Sequence, residues 1–212
     1  MARTKVKQVL LSAALVGTAG SLAGLGTYAS WTDSSAASAS ISSGTVDISL
    51  GSSGSADNRL TIGASGLVPG DSLQRRVEVT NGGSADLASV TLTTTASTSS
   101  LLDTDATGGL QMKIERCGGA LGWRESASTP YTYTCDASAA GDDLGTRSTV
   151  LAERAIIGSS LSLTGMLALT AAGIDDMVVT VRLPDSTGTS LQGKSSTIQY
   201  DFAGTQRAGV GK

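Results

Sequence analysis

Apolar and polar residues alternate with a period of two along much of the chain. Gly44–Leu50 sets Val46, Ile48 and Leu50 on one side. Ser72–Thr80 sets Leu73, Val77 and Val79 apart from Arg76, Glu78 and Thr80, with Arg75 out of register. Asp86–Thr94 alternates through Val90 and Leu92, and Leu110–Arg116 sets Leu110, Met112 and Ile114 against Gln111, Lys113 and Glu115. Met177–Leu183 alternates through Met177, Val179, Val181 and Leu183, and Ser196–Gly204 through Ile198, Tyr200 and Phe202. Successive side chains of a strand point to opposite faces, so this period predicts strands with one face buried. Pro69-Gly70-Asp71, Asn81-Gly82-Gly83, Thr107-Gly108-Gly109 and Pro184–Gly188 are turn-forming and separate the runs.

Strands at such spacing predict an all-β domain, a sandwich or jelly roll. One segment breaks the period. Thr146–Ile157 has Val150, Leu151, Ala155 and Ile156 with charges between, which predicts one short surface helix. Trp31–Ser43 is polar and Ser/Ala-rich and reads as a flexible leader. The domain is expected over 44–206, with 207–212 as a tail.

The amino terminus has a different pattern. Arg3, Lys5 and Lys7 precede an apolar run from Val9 to about Leu25, and Gly26-Thr27-Tyr28-Ala29-Ser30 follows as a small-residue patch. Charge, apolar core and small residues in that order predict a cleavable secretory signal over 1–30. The run is marginal for a membrane span, which needs about twenty apolar residues. A secreted, extracellular or cell-surface location without a lasting membrane anchor is therefore expected.

Loss of 1–30 leaves twelve basic against eighteen acidic residues, a formal charge of −6. Nucleic-acid binding needs clustered cations, so that class is set aside. Two cysteines, Cys117 and Cys135, remain in the expected secreted chain. An even count in that compartment points to a disulfide, and a buried reduced pair is the alternative.

Several short motifs, in order, carry a family likeness. Gly26-Thr27-Tyr28-Ala29-Ser30-Trp31-Thr32-Asp33 is followed by Ile41-Ser42-Ser43-Gly44-Thr45-Val46-Asp47-Ile48. Leu67-Val68-Pro69-Gly70-Asp71, then Val79–Ser84, and finally Gln192-Gly193-Lys194-Ser195 with Gln199–Gln206 complete the series. The chain resembles the TasA and camelysin (CalY) family, with the look of an actinobacterial member. The resemblance implies a jelly-roll β-sandwich, export, and cutting between Ser30 and Trp31 by a signal peptidase of the SipW type. It also implies a structural role in the cell surface or biofilm matrix, with fibres built when the amino-terminal strand of one subunit adds to the next. Self-association or binding to other matrix proteins is the partnership implied. The middle, about 97 to 175, carries no matching motif. Cys117, Cys135 and the intervening Trp123 depart from the founding members, and Trp123 is the candidate contact residue.

Camelysin relatives have been called metalloproteases, which brings catalysis into question. A zinc protease uses His and carboxylate ligands at fixed spacing, typically His-Glu-x-x-His. This chain has no histidine. Asp142-Asp143 and Asp175-Asp176 are adjacent pairs, which a strand would point to opposite faces. A serine nucleophile without His needs Lys, and only Lys113, Lys194 and Lys212 follow the expected cut. Gly188–Ser195 fits the phosphate-loop spacing, but Thr197–Phe202 reads as a strand where that motif needs a helix, so a hairpin loop is expected. Calcium could use Asp103 and Asp105 or Asp142 and Asp143, with a solvated loop as the favoured reading. The expectation is a non-enzymatic structural protein without metal or cofactor. A monomeric binding module using the 117–135 loop, or a divergent camelysin-like protease, are the alternatives.

Overall fold

The computed structural model describes residues 45–60, 66–118, 122–136 and 145–209. The expected signal over 1–30, its expected cut at Ser30 and Trp31, the expected leader, Asp142, Asp143 and Lys212 lie outside the described residues. The described strands are β1 (Ile48–Leu50), β2 (Ser72–Asn81), β3 (Leu87–Thr98), β4 (Gln111–Cys117) and β5 (Trp123–Glu125). They continue with β6 (Tyr133–Cys135), β7 (Arg147–Ala155), β8 (Gly158–Leu163), β9 (Ile174–Arg182) and β10 (Thr197–Gln206).

A five-stranded sheet runs β1-β2-β9-β4-β7 and a three-stranded sheet runs β10-β3-β8, each neighbouring pair antiparallel. The chain passes from one sheet to the other between β2, β3 and β4, and again between β7, β8, β9 and β10. That alternation between two facing sheets is the jelly-roll pattern. The alternating apolar residues close the core. Val77 and Val79 of β2, Met112 and Ile114 of β4 and Met177, Val179 and Val181 of β9 meet Val90 and Leu92 of β3 and Leu161 and Leu163 of β8. Full burial of each such side chain contributes roughly 1.5–3 kcal/mol. Ile198, Tyr200 and Phe202 of β10 flank this cluster, half-buried. Burial pushes the Tyr200 phenol up to about 12.

Arg75 follows the strand period without a slip: it pairs with Val179 in unbroken register and is buried. Its guanidinium donates to the Gln74 carbonyl at 2.7 Å.

The helix expected over Thr146–Ile157 is strand β7 instead. Its register against β4 shifts twice, between Met112 and Ile114 and between Ile114 and Glu115. Each shift inserts an extra β7 residue, which breaks the period of two and mimics a helical spacing. The described helix is a single turn, α1 (Leu101–Thr104), between β3 and β4. Ser100 caps it, its hydroxyl accepting from Leu102 N–H, while the Asp103 carboxylate accepts from Ser100 N–H. That reciprocal arrangement is a capping box, with Asp in place of the usual Glu.

Candidate functional site

Strands β5 and β6 pair with each other and with no other strand among the described residues. They form a small hairpin that packs on the outer face of the larger sheet. The packing partner is Val178, which faces away from the core because its neighbours Met177 and Val179 face into it. Around it gather Trp123, Tyr133, Cys117 and Cys135, with Tyr131 at the margin. Cys117 and Cys135 are joined in a disulfide. The bond ties the end of β4 to the end of β6 and so fixes the open end of the hairpin, where Cys135 pairs with Trp123.

Trp123, singled out in the sequence for contact, is 4% exposed. Its indole N–H donates to the Asp176 carbonyl at 3.2 Å, and its backbone N–H donates to Asp176 Oδ2 at 3.3 Å. The Arg147 guanidinium stands 5.4 Å from the ring centroid. The ring is thus consumed inside the chain and is not an outward contact. The reason is that β9 has an apolar outward residue, Val178, which needs cover.

Two charged clusters continue this packing. Arg76 donates to both Asp176 oxygens, at 2.6 and 2.9 Å, and reaches Asp57 at 3.3 Å. Arg59 donates to both Glu125 oxygens, at 3.0 and 2.7 Å, and lies over the Tyr131 ring at 4.6 Å. Tyr133 donates its hydroxyl to Glu125 at 2.6 Å. The Arg59 hydrogen bonds hold the Glu125 carboxyl below its ordinary value, against the opposing effect of desolvation. Burial, then the carboxylate of Glu125, pushes the Tyr133 phenol up. Planar guanidinium forks on carboxylates fix geometry as well as charge. Here they fasten the β1–β2 connection and the hairpin to the sheet. A cavity of about 280 Å³ beside the hairpin is lined by Arg124, Glu125, Ser126, Thr132 and Thr134.

A second polar cluster surrounds Asp103. Ser99 and Ser196 donate their hydroxyls to its carboxylate at 2.8 and 2.5 Å, and Ser100 N–H donates at 2.6 Å. Burial pushes this carboxyl up, but the three donors outweigh it and leave the pKa lowered. Asp105 Oδ1 accepts from the N–H groups of Thr107 and Gly108 at 3.0 and 2.9 Å. Both candidate calcium ligands are therefore aimed at N–H and O–H donors, the reverse of the lone-pair surroundings that a cation needs. The Asp103 cluster ties α1 to the 192–196 loop and borders a cavity of about 530 Å³ lined by Thr95, Ala96, Ala155 and Ile157.

The remaining candidates are scattered. Asp175 and Asp176 lie on β9 and face opposite ways. Asp175 is 0% exposed, accepts from Ala168 N–H at 2.6 Å and stands 3.8 Å from Arg116 Nε. Lys113 pairs with Glu115 at 2.9 Å. Within Gly188–Ser195, Thr189–Leu191 form one 3-10 turn with Leu191 buried, and a strand follows, not a helix. The loop joins β9 to β10 across the two sheets, so it is an arch between sheets and not a hairpin.

The described molecule is thus a disulfide-braced β-sandwich whose strongest polar groupings are fasteners between its own elements. The chain belongs to the camelysin metallo-endopeptidase family, whose model matches residues 2–211. Members of that family are cell-surface or extracellular proteins. Among curated proteins none matches the chain.

The family description points toward an enzyme, so the sequence expectation of a non-enzyme gains no support from it. It also implies a metal. The donors fit one poorly. The chain has no histidine, and its two cysteines are spent in the disulfide. Among the described residues no three of His, Cys, Asp and Glu come together as a metal site. Asp103, Asp175 and Asp176 are each turned to a hydrogen-bond donor or an arginine. No hydrolytic step follows from these residues.

Proposed function

We propose that this protein is a secreted structural component of the cell surface or extracellular matrix, and a fibre subunit. A SipW-type signal peptidase cuts between Ser30 and Trp31. The segment ahead of β1 then adds as a strand to a sheet edge of another copy or of another matrix protein. One observation carries the reading. β1 is a three-residue border strand of the larger sheet, and β2 is its one strand partner among the described residues. The outer side of such a border strand carries backbone groups that a further strand can pair with. The fit of the donors supports the same choice, because the described carboxylates brace the fold.

The chain starting at Trp31 is expected to form fibres by electron microscopy, and the chain starting at Gly44 to form none. Equal behaviour of both would overturn assembly through the leader and favour a monomeric binding module. The family description favours a second reading, a metallo-endopeptidase. Chelator-sensitive casein cleavage by the pure chain would establish that reading.

A further inference from the structure

Four strands border the two sheets: β1 and β7 the larger, β10 and β8 the smaller. Border strands invite pairing with other chains, and proteins blunt them by shortness, charge, proline or irregular backbone. Three of the four are blunted. β1 has three residues. β7 carries Arg147, Glu153 and Arg154 and two register shifts. β8 has six residues, and its Ser160 has φ 50°, a left-handed conformation uncommon outside glycine. β10 is the least blunted: its two register shifts fall at its ends, between Thr197 and Ile198 and between Thr205 and Gln206, and the extra residue at each lies on β3. It runs ten residues without proline, lysine or arginine, and Asp201 is its one charge. Its pairing with β3 is regular from Ile198 to Thr205, and among the described residues β3 is its sole strand partner.

We propose that β10 pairs with β10 of a second copy, antiparallel about a twofold axis at Phe202. Two three-stranded sheets would then join into one of six strands. Residues directly opposite in an antiparallel pair share a face, so the axis must fall on a residue. At Phe202 the pairing uses nearly the whole regular stretch. Gln199 then faces Thr205 of the second copy, Asp201 faces Ala203, and Tyr200 faces Gly204. An axis at Asp201 would instead set two carboxylates opposite each other. The contact is isologous and closed, the commonest symmetry of protein oligomers. It does not use the leader, so it stands apart from the strand exchange proposed above.

Substitution at Ala203 tests the pairing. Ala203 is exposed on the outer face, so a larger side chain there does not enter the core. Sedimentation equilibrium of the chain from Trp31, at concentrations below the onset of fibres, is expected to show a monomer–dimer equilibrium. Ala203→Glu, which meets Asp201 twice across the axis, should weaken the dimer about tenfold, and Ala203→Lys should tighten it by a similar factor. Circular dichroism checks that both variants stay folded. A monomer at all concentrations, or Glu and Lys variants that shift the equilibrium the same way or not at all, would overturn the proposal. Fibres are read separately by microscopy, so either idea can fail alone.

Discussion

Replacing Trp123 with Ala is expected to destabilise the protein by about 3–5 kcal/mol, the range for deleting a buried aromatic side chain. The ring fills the space between the disulfide, Tyr133 and Val178. Its loss leaves a cavity and deprives the Asp176 carbonyl of the indole donor. In a domain of this size each kcal/mol moves Tm by about 2–4 °C, so a fall of roughly 6–20 °C is expected by calorimetry. Trp123→Phe should recover much of the loss, since it refills the space and forgoes a hydrogen bond worth about 1 kcal/mol. A fall of under 2 °C for Trp123→Ala would mean that the hairpin does not brace the sheet.

The second large effect concerns a buried ion pair. Arg116→Met is expected to cost about 3 kcal/mol, because it strands the Asp175 carboxylate without a counter-charge. Asp175 is fully buried, and its Oδ1 has no hydrogen-bond donor among the described residues. The Ala168 N–H satisfies the other oxygen. Adding Asp175→Asn removes the charge while keeping an acceptor for Ala168. The double variant should therefore be more stable than Arg116→Met alone in urea unfolding. A double variant at least as unstable as the sum of the two single changes would show that Arg116 acts through packing and not through charge.

These two sites differ in how far the sequence exposes them. Strands β2, β4, β9 and β10 are legible because one face of each meets the core, and apolar residues recur at every second position along most of that face. β7 is not, because two extra residues shift its apolar positions into a helical spacing. β5 and β6 have three residues each, too few for any period to appear. The true helix carries a signal in Ser100-x-x-Asp103, a capping pattern without an apolar run long enough to draw attention.

Trp123 illustrates a subtler failure. An aromatic residue between two cysteines looks like a loop contact, and its burial depends on a sheet face far away in sequence. The clue lies in Met177-Val178-Val179, where apolar residues run without alternation. A strand covered on both faces has that composition, so something had to lie over Val178. What covers it could not be read, because Arg59–Glu125 and Arg76–Asp176 join residues 66 and 100 positions apart. By contrast, the opposite facing of Asp175 and Asp176 follows from strand geometry alone, and the disulfide follows from a pair of cysteines in a chain expected to be exported.

The central claim is that residues ahead of β1 pair with another molecule. Amide hydrogen exchange read by mass spectrometry tests it most directly, on the chain from Trp31 as dilute monomer and as assembled material. The account predicts rapid exchange over 31–44 in the monomer and strong protection there after assembly. Equal protection of that segment in both states would mean that it folds onto its own sheet, which contradicts the account.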